Sequence, residues 1–297
     1  MDVPIHVWQP PALESTVGKK VVLSEVAGPK ETANLLREKM LSGVPHDAGR
    51  QTVLSPTGTL SQNEAIQLVS ATDQAPSDIA LRAAATQEGY DYVLRGEVLA
   101  DRRAKHLQAD DERLTVSWRL MPLDQSDAGI ETNDHAPTGA PIVVDRQSAI
   151  ERYPDLALLS DDESILTTAA VRDTYGLITP SIDRADVDLA IPYLMLGSAK
   201  IRQGNMAALA GRWGDAKQIW TEVAKKHPLQ VAAIHNLALA AAAEQDFSTA
   251  KQLARKAIRR APTKLHKQTA QWIEQRQREY HQSFNLPDPP EGWYLTQ

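Results

Sequence analysis

Hydrophobic positions follow two different periods along this chain. In the first two-thirds, short apolar runs bounded by turn residues alternate with helical spacing. KKVVLSEVAG is β-branched, ends at Gly28-Pro29 and predicts a buried strand. Pro29 suits the first position of the helix that follows, ETANLLREKMLSG, with Ala33, Leu36, Met40 and Leu41 on one side and Gly43 to end it. QTVLSP (51–56) predicts another strand and LSQNEAIQLVSAT (60–72) a helix; Ser77 can cap a second helix, DIALRAAATQE, which ends at Gly89. YDYVLRGEVLA predicts a nearly central strand with Gly96 marking a bulge. In RLTVSWRLMPL, Leu114, Val116, Trp118 and Leu120 alternate strictly, as in a strand with one buried face. PIVVD predicts a strand, residues 164–178 a helix, and VDLAIPYLM a last strand, with an exposed turn over 101–112 and a loop over 124–141. The opening residues 1–16 are expected to be extended, because Pro10-Pro11 excludes a helix. Residues 17–195 are therefore expected to form an α/β domain, a mixed sheet with flanking helices.

Beyond residue 195 one helical pattern is written twice. Trp213 and Phe247, Ala216 and Ala250, and Pro228 and Pro262 each differ by 34 (247−213, 250−216, 262−228). A fixed period in that range marks stacked helical hairpins. Residues 196–284 are expected to hold two such repeats and a capping helix, Pro262 to about His281, whose polar sequence suits a wet outer face; residues 285–297 are left as a tail. Trp213, Ala216, Trp220, Phe247 and Ala250 are the expected packing positions, since small residues let helices approach and aromatics fill the space between turns. Two hairpins bury too little of their own apolar surface, so residues 196–297 alone are expected to be unstable.

Charge sharpens the division. Residues 1–195 carry 17 Lys/Arg against 30 Asp/Glu, a balance of −13, and residues 196–297 carry 15 against 8, a balance of +7. Opposite signs allow mutual docking of the two segments or separate partners for each. The absence of cysteine excludes disulfides and thiolate chemistry. No window is apolar for long enough to span a bilayer, and the first residues lack a leader's basic and apolar regions.

The stretch ALRAAATQEGYDYVLRGEVLADRR (80–103), behind a strand, a glycine turn and a helix, resembles the α/β domain of bacterial envelope lipoproteins: the curli-secretion family, the penicillin-binding-protein activator lipoproteins and the amino-terminal domain of the Tol-system propeller protein. That resemblance covers about residues 3–150; the lipid-bearing cysteine and channel-forming hairpins are missing. The second part resembles tetratricopeptide repeats, through Gly204, Gly211, Trp213, Ala216, Trp220 and Pro228, then Leu237, Ala238, Phe247, Ala250, Ala257 and Pro262. Both occur together in some bacterial lipoproteins in which a Trp-x-x-Ala-x-x-x-Trp repeat, matched here by Trp213, Ala216 and Trp220, follows the α/β domain.

By that resemblance, a concave partner groove is lined by Ile201, Asn205, Ala208, His235, Leu239 and Ala242. Ile201 and His235 stand where a carboxylate clamp would need basic residues, which leaves a small apolar groove that either holds a peptide or is filled by the neighbouring domain. Lys251, Arg255 and Arg259 recur at i, i+4 and i+8, a basic face for phosphates, an acidic partner or a lipid surface, or the solvated side of an outer helix. No aromatic platform is interleaved with it, so nucleic acid is not the expected partner. The eight histidines are scattered, and Asp110-Asp111-Glu112 and Asp161-Asp162-Glu163 are expected in solvated loops. No catalytic, cofactor or metal site is expected. The expected function is that of a non-enzymatic envelope adaptor for another protein, periplasmic or associated with the outer membrane, with a lipid on a residue upstream of Met1. The alternatives are a cytosolic tetratricopeptide scaffold and an enzyme with its site in the α/β domain.

Overall fold

A computed structural model describes residues 1–43, 83, 85–99, 113–123, 141–192 and 194–293. The chain divides into two compact units, residues 11–180 and residues 1–10 with 181–297. The division differs from the expected one: residues 1–10, expected within a separate extended entry segment, and residues 181–195, expected in the α/β domain, both group with the helices. On the observed division the helical unit carries 16 Lys/Arg and 12 Asp/Glu (+4), and the other unit 16 and 26 (−10). The expected strand at 51–56, the helices at 60–72 and after Ser77, the turn at 101–112 and nearly all of the loop at 124–141 lie outside the described residues, apart from the last turn before Gly89.

In residues 11–180, β2 (Val21–Ala27), β3 (Tyr92–Leu99), β4 (Arg113–Pro122) and β5 (Ile142–Asp145) form a sheet in that order. The β2–β3 pair is parallel and the others antiparallel, as the mixed-sheet reading expects. β4 buries Leu114, Val116, Trp118 and Leu120, the alternating set. They share one core with α1 (Lys30–Ser42) and a longer helix over Asp162–Ile178. Between β3 and β4 the pairing runs without a break from Tyr92↔Pro122 to Leu99↔Thr115, so the bulge beside Gly96 is on its other side, where Gly96 pairs with Val26. Gly96 also makes room: a Cβ there would lie 2.5 Å from the Trp118 ring. The irregularity falls in β2, between Leu23 and Val26.

Asp145 caps α2 (Arg146–Arg152), accepting from the Ser148 backbone N–H at 2.8 Å. The acidic cluster at 161–163 is not a loop but the start of α3 (Asp162–Ile178), with Asp161 as its N-cap. Carboxylates there complement the positive end of the helix and its unpaired N–H groups.

In the second unit, β1 (Asp2–Gln9) pairs antiparallel with β6 (Ser181–Asp188), residue for residue from Asp2↔Asp188 to Gln9↔Ser181. The opening segment is thus a full strand, and β6 ends at Asp188 rather than running on to Met195. The helices follow: α4 (Ser198–Leu209), α5 (Trp213–Lys226), α6 (Val231–Ala243), α7 (Phe247–Arg260) and α8 (Lys264–Ser283). Each packs on the next, and the short connections require antiparallel neighbours. α5 and α7 begin 34 residues apart (247−213) and end 34 apart (260−226), so the sequence period is a period in space.

Trp220 is fully buried and donates its indole N–H to the Ile201 carbonyl at 3.3 Å. Gly204 permits this approach, since a Cβ there would lie 2.4 Å from Trp220 Nε1. Ala216 and Ala250 are fully buried and Phe247 nearly so; Trp213 meets Trp220 edge-on, with ring centres 6.3 Å apart. α8 keeps a wet side, with Lys264, Lys267, Gln268, Gln271, Gln275 and Gln282 exposed, while Glu274, Gln277 and Glu279 are buried. Residues 284–293 return beside the helix, with His281 against the Pro287 carbonyl, Gln277 at 3.5 Å from Glu291 and Trp293 bonded to Asp288.

Candidate functional site

α4, α6 and α8 turn their inner faces toward the β1–β6 ribbon. The alternation in β1 puts Val3, Ile5 and Val7 on one side, and with Val187 and Leu189 they share a core with Ile201, Ala208, Ala233, Leu239 and Trp220. The six expected groove residues are all buried: Ile201 and Ala208 at 0%, Asn205, His235 and Leu239 at 1%, and Ala242 at 6% exposure. Five lie in this inner region, but Ala242 belongs to a separate cluster with Phe247, Ala250 and Ile273. These inner positions are covered by the β1–β6 ribbon of their own unit.

The polar contacts hold the ribbon's exit in an extended, peptide-like manner. Asn236 accepts from the Ala190 backbone N–H at 2.8 Å and donates to its carbonyl at 3.2 Å. Asn205 donates to the same carbonyl at 3.2 Å, and its oxygen accepts from the Asn236 amide at 2.8 Å. Both backbone polar groups of Ala190 are thereby satisfied inside an apolar, alanine-rich setting, where an unmet amide is costly. His235 Nε2 lies 3.1 Å from the Asp188 carbonyl, which can only accept, so this nitrogen carries the proton. The His235 ring stands 5.0 Å from that of His266, whose Nδ1 is 2.7 Å from the Ala261 carbonyl. Burial pushes His235 down to about 4, with the bond to Asp188 opposing the shift and His266 adding to it. Trp213 contributes more than packing: its indole N–H donates to the Pro4 carbonyl at 3.2 Å.

Asn236 is the functional side chain that sequence reasoning missed. Its signal was present, an amide inside the run VAAIHNLALAAAA. A buried amide on an apolar helix needs a partner, and only the fold supplies Ala190.

The expected basic face separates into three environments. Lys251 is 4% exposed and its ammonium lies 2.9 Å from Glu291, which draws that carboxyl down to about 2. Arg255 is half-buried, and only Arg259 stands in solvent. The face is interrupted because residues 291–293 return over the start of α7, a long-range contact that helical spacing cannot reveal.

Among the described residues, no group of three or more His, Asp or Glu side chains could hold a metal ion, and no helix is long and apolar enough to cross a membrane. A cleft of about 570 Å³ lies between α8 and the chain end, lined by Gln271, Gln275, Arg278, His281, Asp288 and Trp293. Arg278 covers the Trp293 ring at 4.9 Å. A second cleft, about 360 Å³, is lined by Arg95, Gly96, Glu97, Ser117 and Arg119 of the sheet, with Ala27.

No family model matches the chain, and no curated protein matches it. Among solved structures, the PelC dodecamer from Paraburkholderia phytofirmans is similar over 60% of this chain and 97% of its own, with 15% identity and a TM-score of 0.29.

Proposed function

We propose that the protein is a non-enzymatic interaction protein of the bacterial cell envelope. In this reading residues 196–284 are a short tetratricopeptide-type array with its capping helix, and a lipid anchor lies upstream of Met1. The observation that carries the interaction role is the occupied groove. Asn205, Asn236 and His235 grip backbone groups of residues 188–190, as such a surface would grip an extended peptide. The array spends its peptide-binding face on its own chain and becomes a rigid platform, so a partner protein docks on outer surfaces. The 34-residue period and the paired small and aromatic residues support the repeat reading. The envelope assignment is supported by the resemblance of residues 3–150.

In-cell photocrosslinking tests the interaction role. A photoreactive residue at the exposed positions Gln203, Met206 or Gln252 is expected to give discrete adducts with a second protein, and one in place of Leu239 none. The absence of adducts from every outer position would remove the adaptor reading. Fractionation of the native host decides the compartment separately: retention in the cytosol would favour the scaffold alternative.

A further inference from the structure

One end of the helical unit gathers the start of α4, the end of α5, the start of α6, the end of α7 and the start of α8. The contacts across it are direct. Gln230 donates its side-chain amide to the Leu196 carbonyl at 3.2 Å, and Arg260 donates to the Pro228 carbonyl. Gly197 lies so close to the end of α5 that a Cβ would come within 2.9 Å of both the Val223 and His227 side chains. Residues 194–197, 227–230 and 259–264 therefore make one continuous tip.

Two kinds of side chain crowd this tip. Leu194 is fully exposed, Leu196 and Leu229 are 78% exposed and Met195 is 50% exposed. Leu194 also holds a left-handed backbone conformation (φ 53°), uncommon for a bulky apolar residue. Around them stand Lys225, Lys226, Arg259, Arg260 and Lys264, all exposed. Lys225 and Arg259, and likewise Lys226 and Arg260, are 34 residues apart (259−225, 260−226), so the repeat itself doubles the basic ring. No acidic residue occurs in 189–214, 223–243 or 247–273. Glu222, one turn back on α5, is engaged with Lys200 at 3.3 Å. At the opposite end of the helices charges are matched, as Lys217 pairs with Glu244 and Arg212 with Asp215.

We propose that this tip is a peripheral membrane contact for an anionic bilayer. Leu194, Leu196 and Leu229 would enter the headgroup–acyl boundary while the ring of lysines and arginines meets lipid phosphates. Apolar tips flanked by basic residues match that interface in both respects: the apolar groups leave water, and the cations lie within a Debye length of the negative surface. An acidic protein would complement the charge, but an apolar apex on protruding connections with cations set around it matches the layered order of a bilayer surface, phosphates outside and acyl chains beneath. The contact requires neither an adaptor role nor an acyl anchor.

The test uses the full, unacylated chain with vesicles of phosphatidylcholine alone or with 30% phosphatidylglycerol. Cosedimentation is expected with the anionic vesicles, at least about tenfold weaker with the neutral ones, and declining with salt. Lys225→Glu with Lys226→Glu should lower binding by about tenfold or more, and Leu194→Ser with Leu196→Ser should also weaken it. Both variants change exposed side chains, so unchanged thermal melts confirm that they fold. Because the chain has no cysteine, Leu196→Cys offers a unique thiol for an environment-sensitive dye. Its emission should shift to the blue on anionic vesicles, and that of a dye on Gln252→Cys should not. Failure to bind anionic vesicles, equal binding to neutral ones, indifference to the charge reversal, or a dye at 196 that stays in water would each overturn the proposal. A crosslink from position 196 to a protein without vesicle binding would do the same and assign the tip to a protein partner. Loss of adaptor crosslinks at positions 203, 206 and 252 would leave these results untouched.

Discussion

On the inner face of the helical unit, Ile201, Ala208 and Leu239 are at most 1% exposed beneath the β1–β6 ribbon, whereas at its tip Leu194, Leu196 and Leu229 are at least 78% exposed. Both regions belong to the same helical unit, one on helix faces and one on the connections between helices, and both place apolar residues where a partner could meet them. The inner face has its partner within the chain, fixed by backbone hydrogen bonds as well as by apolar contact. At the tip the described bonds between connections run from Gln230 to Leu196 and from Arg260 to Pro228, and cations stand where the groove has buried amides. Apolar exposure thus marks what the fold leaves for another surface, while repeat pattern alone does not. A groove inferred from spacing can be full.

The comparison breaks most severely if the ribbon is removed. Residues 196–297 alone lack both strands, and with them Val3, Ile5, Val7, Val187 and Leu189 of the shared core. They are expected to show no cooperative thermal transition by circular dichroism, and a sharp melt at high temperature would mean that the ribbon is dispensable. The next largest effect is within the array. Trp220→Ala empties a fully buried site against Gly204 and should cost about 3–5 kcal/mol in urea unfolding, the range for deleting a large buried aromatic.

Such local features were legible because they are encoded over a few turns. The period of 34 located α5 and α7, and the strict alternation of residues 114–120 located β4 and its buried face. The ribbon was not legible, because Asp2 pairs with Asp188 and nothing local connects them. β6 also hides its nature: in SIDRADVD only Val187 is buried, so its apolar pattern is nearly absent. The same non-locality explains Lys251. Helical spacing assigned it to a solvated face, but Glu291 and Gly292 bury and bind it from forty residues away. For the groove, the residue types were readable and the occupant was not.

Acidification should loosen the inner face and spare the tip. His235 has its folded value lowered to about 4 from an ordinary 6.5, mainly by burial, with Asp188 opposing and His266 reinforcing. As pH falls below about 6.5 the unfolded chain takes up a proton that the folded chain refuses until about pH 4. Stability from this group is therefore lost over that window, up to about 3 kcal/mol between pH 7 and pH 4. Urea midpoints across the range should fall, and His235→Gln, which can still donate to the Asp188 carbonyl, should flatten that part of the profile. A smaller effect is expected for Asn236→Leu, which keeps the volume but leaves the Ala190 N–H without its acceptor. A loss of about 2 kcal/mol in urea unfolding fits a buried donor left unmet. A neutral result would show that apolar contact alone holds the ribbon.

The tip should show the smallest effect on stability. Lys225 and Lys226 are exposed, and neither pairs with a carboxylate among the described residues, so the double change to Glu should shift unfolding by no more than about 0.5 kcal/mol. If the two regions divide the work as their burial suggests, that variant folds as before, keeps His235 on its usual pH profile and loses only its attraction to anionic vesicles. Asn236→Leu should do the reverse, losing stability and binding normally at temperatures where it remains folded. Should charge reversal at the tip lower stability as much as the groove variant, the basic ring would be part of the fold's own support. Its exposed leucines would then need another explanation.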